Sequence, residues 1–267
     1  MRLTIEHSTH YSYDELVKHS TQYLRLTPQE SVHQHIISWQ LALPVEAVQT
    51  TDAFGNILHV LTLDRPHQSI SIKATGVVEI AEGEALDDGT CEALSPLVWL
   101  RHTPLTQPDS AILAFSAHYW QETAPLESLT VIMGEVLERM PYTPGGTNVK
   151  DSAAQVFAAG VGVCQDHAHV FVACCRSLGI PARYVSGYLY TPDSAHVATH
   201  AWVEALVEGH WHSFDITNNT RNTCHHLKLA VGFDYLDACP VRGVRMGGGD
   251  EGMKTVAAVQ RMQSTQQ

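Results

Sequence analysis

Long hydrophobic runs, basic residues and cysteines are all scarce in this sequence of 267 residues. No stretch approaches the roughly 18 consecutive apolar residues of a membrane helix, and the first residues lack the apolar core of a signal peptide. We therefore expect no membrane span and a cytoplasmic location. Lys and Arg total 16 against 28 Asp and Glu, a net charge of −12. Nucleic acids and anionic membranes attract cationic surfaces, so neither is an expected partner.

The six cysteines do not form the pattern of a disulfide framework, since two of them, Cys174 and Cys175, are adjacent. Free thiols in a reducing compartment are the simpler interpretation. Hydrophobic residues make up 44% of the chain and charged residues 16%, values that are ordinary for a globular protein and argue against disorder. The length suffices for one large domain or two modest ones.

Residues 1–82 are predicted to form a β-rich domain, because apolar and polar residues alternate in segments such as Leu3–His7 and Ile70–Ala74. The segment Asp52–Asn56 predicts a hairpin turn, since glycine and asparagine tolerate a positive φ. An acidic, glycine-containing stretch then places a linker at 83–107.

Helical spacing dominates the first part of the predicted core, residues 108–250. Helices are expected from Pro108, over Leu126–Met140, and from Cys164 to Leu178, where Gly179 and Pro181 end the last one. Three strands are predicted to follow: Ala182–Tyr190, Thr199–Val207 and His210–Ile216. Residues 251–267 form a C-terminal tail, in which Thr255–Val259 is the candidate for a last strand.

Cys164 stands at the predicted start of a helix and follows the segment Gly160–Val163, which contains two glycines. Unpaired N–H groups and the positive end of the helix dipole favour the thiolate, which is the nucleophilic form of cysteine. The glycines allow a sharp turn that leaves the sulfur accessible. The alternative is a small buried hydrophobe, which is the better interpretation of Cys174 and Cys175 within the helix.

His200 and Asp215 are predicted to be diagonal neighbours on one face of a β-hairpin. A two-residue loop at Glu208–Gly209 pairs the flanking residues, which places Trp202 opposite Asp215 and brings the imidazole and the carboxylate within reach. A nucleophilic thiol needs such a base and such an orienting group. Trp202 is expected to shield this pair from water or to be part of the core.

Seventeen histidines invite a metal interpretation, but their spacing does not support it. His196 and His200 lie in a region with a strand pattern, and the histidines of Asp166–His169 would point to different sides of a helix. Cys224–His226 is the best remaining cluster, yet it lacks a second spaced cysteine pair. No phosphate loop, serine elbow or dinucleotide fingerprint is present, so neither a metal nor a cofactor is expected.

Two central blocks, Gly162–His169 and Leu178–Tyr188, resemble the core of the bacterial transglutaminase-like superfamily. His200–Glu204 and Phe214–Asn218 resemble its histidine and aspartate blocks. Further similar segments lie towards both ends of the chain: Leu24–Pro28, Asp52–Asn56, Asp234–Tyr235 and Pro240–Val244. The first two of these resemble the β domain that precedes the core in one bacterial subgroup.

The resemblance implies an α+β fold, in which an N-terminal β-rich domain precedes a papain-like transglutaminase core of helices packed on an antiparallel sheet. It also implies that Cys164 is the nucleophile, His200 the general base and acid, and Asp215 the group that orients His200. Ile216 stands where the family usually has proline, and Phe233 where a basic residue is common. Both departures concern substrate choice rather than the three implied catalytic residues.

The chemistry so implied is acyl transfer from a peptide or protein amide through a Cys164 thioester. Hydrolysis by a cysteine protease or amidase is favoured, since nothing in the sequence shows the water exclusion or the amine site that cross-linking needs. A protein-glutamine transglutaminase and a non-catalytic binding module are the alternatives. An oxyanion hole would use the backbone N–H of Cys164 and the Tyr142 hydroxyl, although Tyr142 is equally interpreted as a loop anchor.

Overall fold

The computed structural model describes residues 1–81, 94–192 and 199–262. Its first element, β1 (Arg2–Leu24), buries alternate residues along most of its length. Leu3 and Ile5 are fully buried, whereas Arg2, Thr4 and Glu6 are exposed. This alternation with a period of two presents one face of the strand to a core, as the sequence predicts.

The predicted N-terminal domain is a sheet organised around β1. Its other strands are β2 (Gln34–Ala42), β3 (Val48–Thr51), β4 (Ile57–Leu63) and β5 (His67–Ile80), in the order β2-β5-β1-β4-β3. The first half of β1 pairs with β5 and the second half with β4. The hairpin turn between β3 and β4 forms as expected, because the Asp52 carboxylate accepts the N–H groups of Phe54 and Asn56 and Gly55 has a φ of 88°.

Two C-terminal strands, β10 (Val241–Gly247) and β11 (Glu251–Arg261), complete this N-terminal sheet by pairing with β1. The expected boundary at residue 250 therefore does not mark the edge of the core: β10 lies before it and β11 after it, and both strands belong to the N-terminal sheet. The described part of the expected tail 251–267 is mostly strand. The segment 255–259 lies within β11. Pairs such as Leu3 with Arg261 join opposite ends of the chain, so no local pattern reveals them.

Among the described residues, a 3-10 helix at Pro96–Leu100 and four α-helices precede the sheet of the core. The α-helices are α1 (Ser110–Tyr119), α2 (Pro125–Arg139), α3 (Ala153–Ala159) and α4 (Cys164–Ser177). Three of them lie where the sequence predicts helices. Helix α3 was not predicted, because seven residues are too few for a clear periodic pattern. Its local signal is a capping box, in which the side chains and backbones of Ser152 and Gln155 bond reciprocally.

The sheet of the core is antiparallel, with β6 (Ala182–Leu189), β7 (Thr199–Val207), β8 (His210–Phe214) and β9 (His226–Gly232) in the order β8-β7-β6-β9. The turn between β7 and β8 has positive φ at both Glu208 and Gly209, which is typical of a type I′ turn. Val207 consequently pairs with His210, and the predicted hairpin register is correct. A short helix, α5 (Tyr235–Ala238), follows β9.

Two amide side chains of the N-terminal sheet region complete the free edge of β9. Gln34 bonds both the carbonyl oxygen and the N–H of Lys228, and Asn56 does the same for Val231, each bond being 2.8 Å long. The two amide side chains thus form the hydrogen bonds that a neighbouring strand would form with this edge. These bonds connect the N-terminal sheet to the strand that carries His226.

The expected linker 83–107 is only partly described, and residues 82–93, which include most of its acidic stretch, lie outside the described residues. The part that is described, 94–107, packs against the core: Trp99 is 2% exposed, and the Arg176 guanidinium donates to the Trp99 carbonyl and to the Thr106 hydroxyl. This part is therefore integral to the core. No helix among the described residues is long and apolar enough to cross a membrane.

Candidate active site

Cys164 is the first residue of α4 and is half-buried. The first turn is fixed by Asp166, whose Oδ2 accepts the Val163 N–H at 2.9 Å and the Thr147 hydroxyl at 2.6 Å. Gly162 lets the chain approach this carboxyl closely, since a Cβ there would lie 2.9 Å from the Asp166 Cβ. The backbone N–H of Cys164 lies in the helical turn that has no intrahelical acceptors.

His200, on β7, connects Cys164 with Asp215. Its Nε2 lies 2.8 Å from Asp215 Oδ2, and Cys164 is close enough to raise the pKa of the imidazole. Because Asp215 occupies Nε2, Nδ1 is the ring nitrogen that remains for the sulfur. The structure thus brings together the three residues that the sequence singles out, with His200 9% exposed and Asp215 fully buried.

The electrostatics of this chain favour a charged imidazole. Burial alone lowers the pKa of His200, but hydrogen bonds and charges from Asp215 and Cys164 outweigh it and raise the pKa to about 10. Burial likewise opposes ionisation of Asp215, yet the hydrogen bonds from His200 and His226 hold the pKa of that carboxyl well below its usual range. A protonated His200 beside an ionised Asp215 follows from these directions.

Asp215 has two more hydrogen-bond donors, neither of which was predicted. His226 Nε2 lies 2.8 Å from Oδ2, and Asn218 donates its amide to Oδ2 at 2.7 Å and its backbone N–H to Oδ1 at 3.2 Å. The sequence held a partial signal for His226 in the cluster Cys224–His226, but it suggested a metal rather than a carboxylate. Asn218 lies three residues after Asp215, a spacing that is common in tight turns. The sequence therefore did not distinguish a donor to the carboxylate from an ordinary turn residue.

Trp202 is buried and covers the imidazoles. Its indole stacks on His200, with ring centroids 6.2 Å apart and an interplanar angle of 23°, and meets His226 edge-on at 5.0 Å. The two expected roles of Trp202, shielding and core packing, are therefore compatible, since the ring also belongs to an apolar cluster with Trp99 and Trp211.

Tyr142, in contrast, is half exposed and lies in a segment that forms a single bridge with Gly162. Burial and the charge of the nearby Cys164 raise the pKa of its hydroxyl. The side chain is thus close enough to interact electrostatically with Cys164, and because the residue is half exposed it is not a buried loop anchor.

His167, one turn after Cys164, joins three segments of the site. Its Nε2 donates to the Met140 carbonyl at 2.7 Å, and its Nδ1 accepts from the Thr217 hydroxyl at 2.9 Å. Burial is the main cause that lowers its pKa, so the ring is neutral. His169 bonds elsewhere, to the Tyr235 N–H, and the two histidines point to different sides as predicted.

A register shift in β9 turns His226 towards His200. Ser186 pairs with Ala230, but the next residue, Gly187, pairs with Lys228, so Leu229 is the extra residue of a β-bulge. Gly187 also pairs with His200 across β6 and β7. Because a shift of one residue exchanges the faces of a strand, the bulge places the His226 side chain on the face of His200.

His200, Asp215 and His226 are also the one group of potential metal ligands found among the described residues, with ligand atoms within 4.8 Å of one another. The same atoms already form short hydrogen bonds. A metal-bound imidazole usually donates its second N–H to an acceptor, but His226 Nδ1 is buried without a partner among the described residues. We therefore interpret the group as a hydrogen-bonded network. His196, considered with His200 in the sequence, lies outside the described residues.

Two regions of the chain match known protein families. Residues 114–216 match the transglutaminase-like superfamily model, and residues 3–79 match the bacterial transglutaminase-like N-terminal region. The chain is 28% identical to the uncharacterized protein ML0607 of Mycobacterium leprae, covering 98% of this chain and 99% of that protein. It is 27% identical to the uncharacterized protein Rv2569c of Mycobacterium tuberculosis, covering 91% and 87%.

Among solved structures, a "putative cysteine protease" from Cytophaga hutchinsonii superimposes with a TM-score of 0.78 at 22% identity, covering 99% of this chain and 92% of that chain. At this level of identity the match shows that the fold is shared. The α+β architecture expected from the sequence, with a β-rich N-terminal region before a helical and antiparallel core, is confirmed. The chain belongs to the transglutaminase-like superfamily and carries the bacterial N-terminal region of that family.

Proposed function

We propose that this protein is a thiol-dependent acyl-transfer enzyme that hydrolyses a peptide or protein amide, as a cysteine protease or amidase. The observation that carries the proposal is the grouping of Cys164, His200 and Asp215, in which the imidazole bonds the Asp215 carboxylate at 2.8 Å and interacts with Cys164. A sulfur at a helix start, an imidazolium and a buried carboxylate are the parts that nucleophilic thiol catalysis needs.

In the first half of the proposed reaction, the Cys164 thiolate attacks the amide carbonyl and a C–S bond forms. The carbonyl π electrons move to oxygen, which becomes an oxyanion. As the C–N bond breaks, His200 passes its Nδ1 proton to the departing amine or ammonia, and a thioester remains on Cys164. Water then attacks the thioester carbonyl and gives a proton to His200. As the second oxyanion collapses, the C–S bond breaks, the carboxylic acid leaves, and the Cys164 thiolate and the His200 imidazolium are restored.

The oxyanion that forms in each half of the reaction needs hydrogen-bond donors. One proposed donor is the backbone N–H of Cys164, which has no intrahelical acceptor at the first position of α4. The second is the hydroxyl of Tyr142, a half-exposed residue that interacts electrostatically with Cys164. Asp215 keeps its charge throughout, since it serves to orient and stabilise the His200 imidazolium.

The proposal is tested with a library of peptide amides incubated with the wild-type protein and with Cys164→Ala, with and without an added primary amine. Mass spectrometry of the peptides and of the intact protein follows the products. We expect release of ammonia or cleavage of the chain by the wild type only, together with an acyl adduct on Cys164. We expect no incorporation of the amine.

A matched control is Cys224→Ala, because Cys224 is the other half-buried cysteine among the described residues, whereas the remaining three are buried. This variant should retain full turnover. Equal turnover by Cys164→Ala would refute the proposed nucleophile. Amine incorporation in place of hydrolysis would favour a transglutaminase, and peptide binding without any turnover would favour a binding module.

A further inference from the structure

His226 bonds the same Asp215 carboxylate as His200. Its Nε2 is 2.8 Å from Asp215 Oδ2, the same oxygen that faces His200 Nε2. A carboxylate oxygen only accepts, so His226 must donate. We propose that His226 is a positioning residue, whose Nε2–H holds the Asp215 carboxylate in the orientation that serves His200. This inference rests on the proposed function of Cys164, His200 and Asp215.

The tautomer of His226 is determined by its surroundings. The ring is 2% exposed, and Nδ1 is buried without a partner among the described residues. A proton on Nδ1 would therefore have no acceptor, whereas a proton on Nε2 has Asp215. Burial is the largest cause of a lowered pKa and outweighs the opposing bond with Asp215, and the nearby His200 and His33 lower the pKa further. His226 is thus a neutral donor.

A neutral donor suits this position better than a second cation. It stabilises the carboxylate without competing for its charge, so the full attraction of Asp215 is left for the His200 imidazolium. A charged His226 would stand with its ring centroid 5.6 Å from that of His200 and would oppose the protonation of His200. The remaining charged groups around the adjoining cavity, Glu204 and Lys228, are paired with each other at 3.0 Å.

The fold restricts the orientation of His226 from several sides. The bulge at Leu229 directs the side chain to the face of His200. Trp202 closes this face with its indole edge-on to the imidazole. Gln34 and Asn56 hold the β9 backbone from the N-terminal sheet. A side chain that only filled space would not require a bulge and a donor atom aligned with the oxygen that His200 uses.

The test compares His226→Leu, which lacks the donor, and His226→Gln, whose amide can donate, with the wild type. His225→Leu is the matched control, because His225 is the adjacent residue and packs on Tyr190. Two measurements are made: the pKa of His200 by NMR of histidine-labelled protein, and the alkaline limb of kcat/KM with a peptide amide. Thermal unfolding checks that each variant is folded. Asn218, the other side-chain donor to Asp215, is unchanged in all of them.

In His226→Leu, we expect the pKa of His200 to fall from about 10 by roughly one unit or more, since a misoriented carboxylate supports the imidazolium less. The alkaline limb should move down equally, and kcat/KM at neutral pH should fall about tenfold. His226→Gln should recover part of both, and His225→Leu should match the wild type.

An unchanged or raised pKa of His200 in folded His226→Leu would overturn the positioning role, as would an equal shift in His225→Leu. The NMR titration does not depend on turnover. Failure of the wild type to cleave any amide would therefore count against the proposed function, while leaving the effect of His226 on His200 measurable by itself.

Discussion

Replacing Gly187 by alanine tests how closely the packing around His200 determines the site. Gly187 lies in β6 between His200 of β7 and Lys228 of β9. An added Cβ would overlap the Leu227 carbonyl oxygen and lie 2.7 Å from Cη2 of Trp202. Both contacts are shorter than the van der Waals radii of the atoms allow, so the β9 backbone and the Trp202 indole must move.

The size of the effect follows from these distances. To regain ordinary contact at 3.4 Å, the indole must retreat by about 0.7 Å, and the backbone oxygen requires a further shift of β9. Overpacking by one methyl group typically costs about 1–3 kcal/mol of the free energy of unfolding. Because Trp202 stacks on His200 and β9 carries His226, both imidazoles should be displaced. A misplacement near 1 Å in a catalytic group lowers the rate about 100-fold.

The assay is kcat/KM with a peptide amide, measured together with urea unfolding. We expect kcat/KM to fall about 10- to 100-fold in protein that remains folded. Gly134→Ala is the matched control: it lies within α2, and its added Cβ would have only ordinary contact, with Asn219 Oδ1 at 3.6 Å. That variant should keep full activity and gain up to about 1 kcal/mol. Wild-type activity and stability in Gly187→Ala would refute this account of the packing.

Two further predictions concern charge. Asp215→Asn removes the main support of the His200 imidazolium, so alkylation of Cys164 by iodoacetamide at pH 7 should slow at least about tenfold, relative to Cys224 in the same sample. An unchanged ratio would contradict the stabilisation of the imidazolium by Asp215. Burial lowers the pKa of His7 and of His169 from 6.5 to about 4, so the unfolded chain binds protons first as the pH falls. Between pH 7 and 5 each should therefore remove at most about 2 kcal/mol of the free energy of unfolding. His200, whose pKa is raised, contributes in the opposite sense, with a stabilisation that is complete below 6.5 and lost only as the pH rises through about 10. Urea unfolding at pH 7 and 5 checks the expected loss, and equal stability at both would argue against buried neutral histidines.

The sequence alone was sufficient for features that depend on neighbours along the chain. Residues at helical spacing and glycines at its ends located α4 and put Cys164 at its first position. The Glu208–Gly209 turn set the hairpin register, because a two-residue loop with positive φ permits one pairing. His200 and Asp215 lie on the two arms of that single hairpin, so their proximity could be predicted from the sequence.

Tertiary structure decided what depends on contacts between distant segments. His226 reaches Asp215 only because Leu229 forms a bulge, and an extra residue in a strand leaves no signature in a strand pattern. The strands β10 and β11 pair with β1, which is more than 200 residues away in sequence. This pairing uses backbone N–H and carbonyl groups, which are the same in every sequence, so the side chains do not reveal it. Local periodicity therefore specifies the elements and the hairpin, whereas the packing of separate sheets determines which side chains surround the carboxylate.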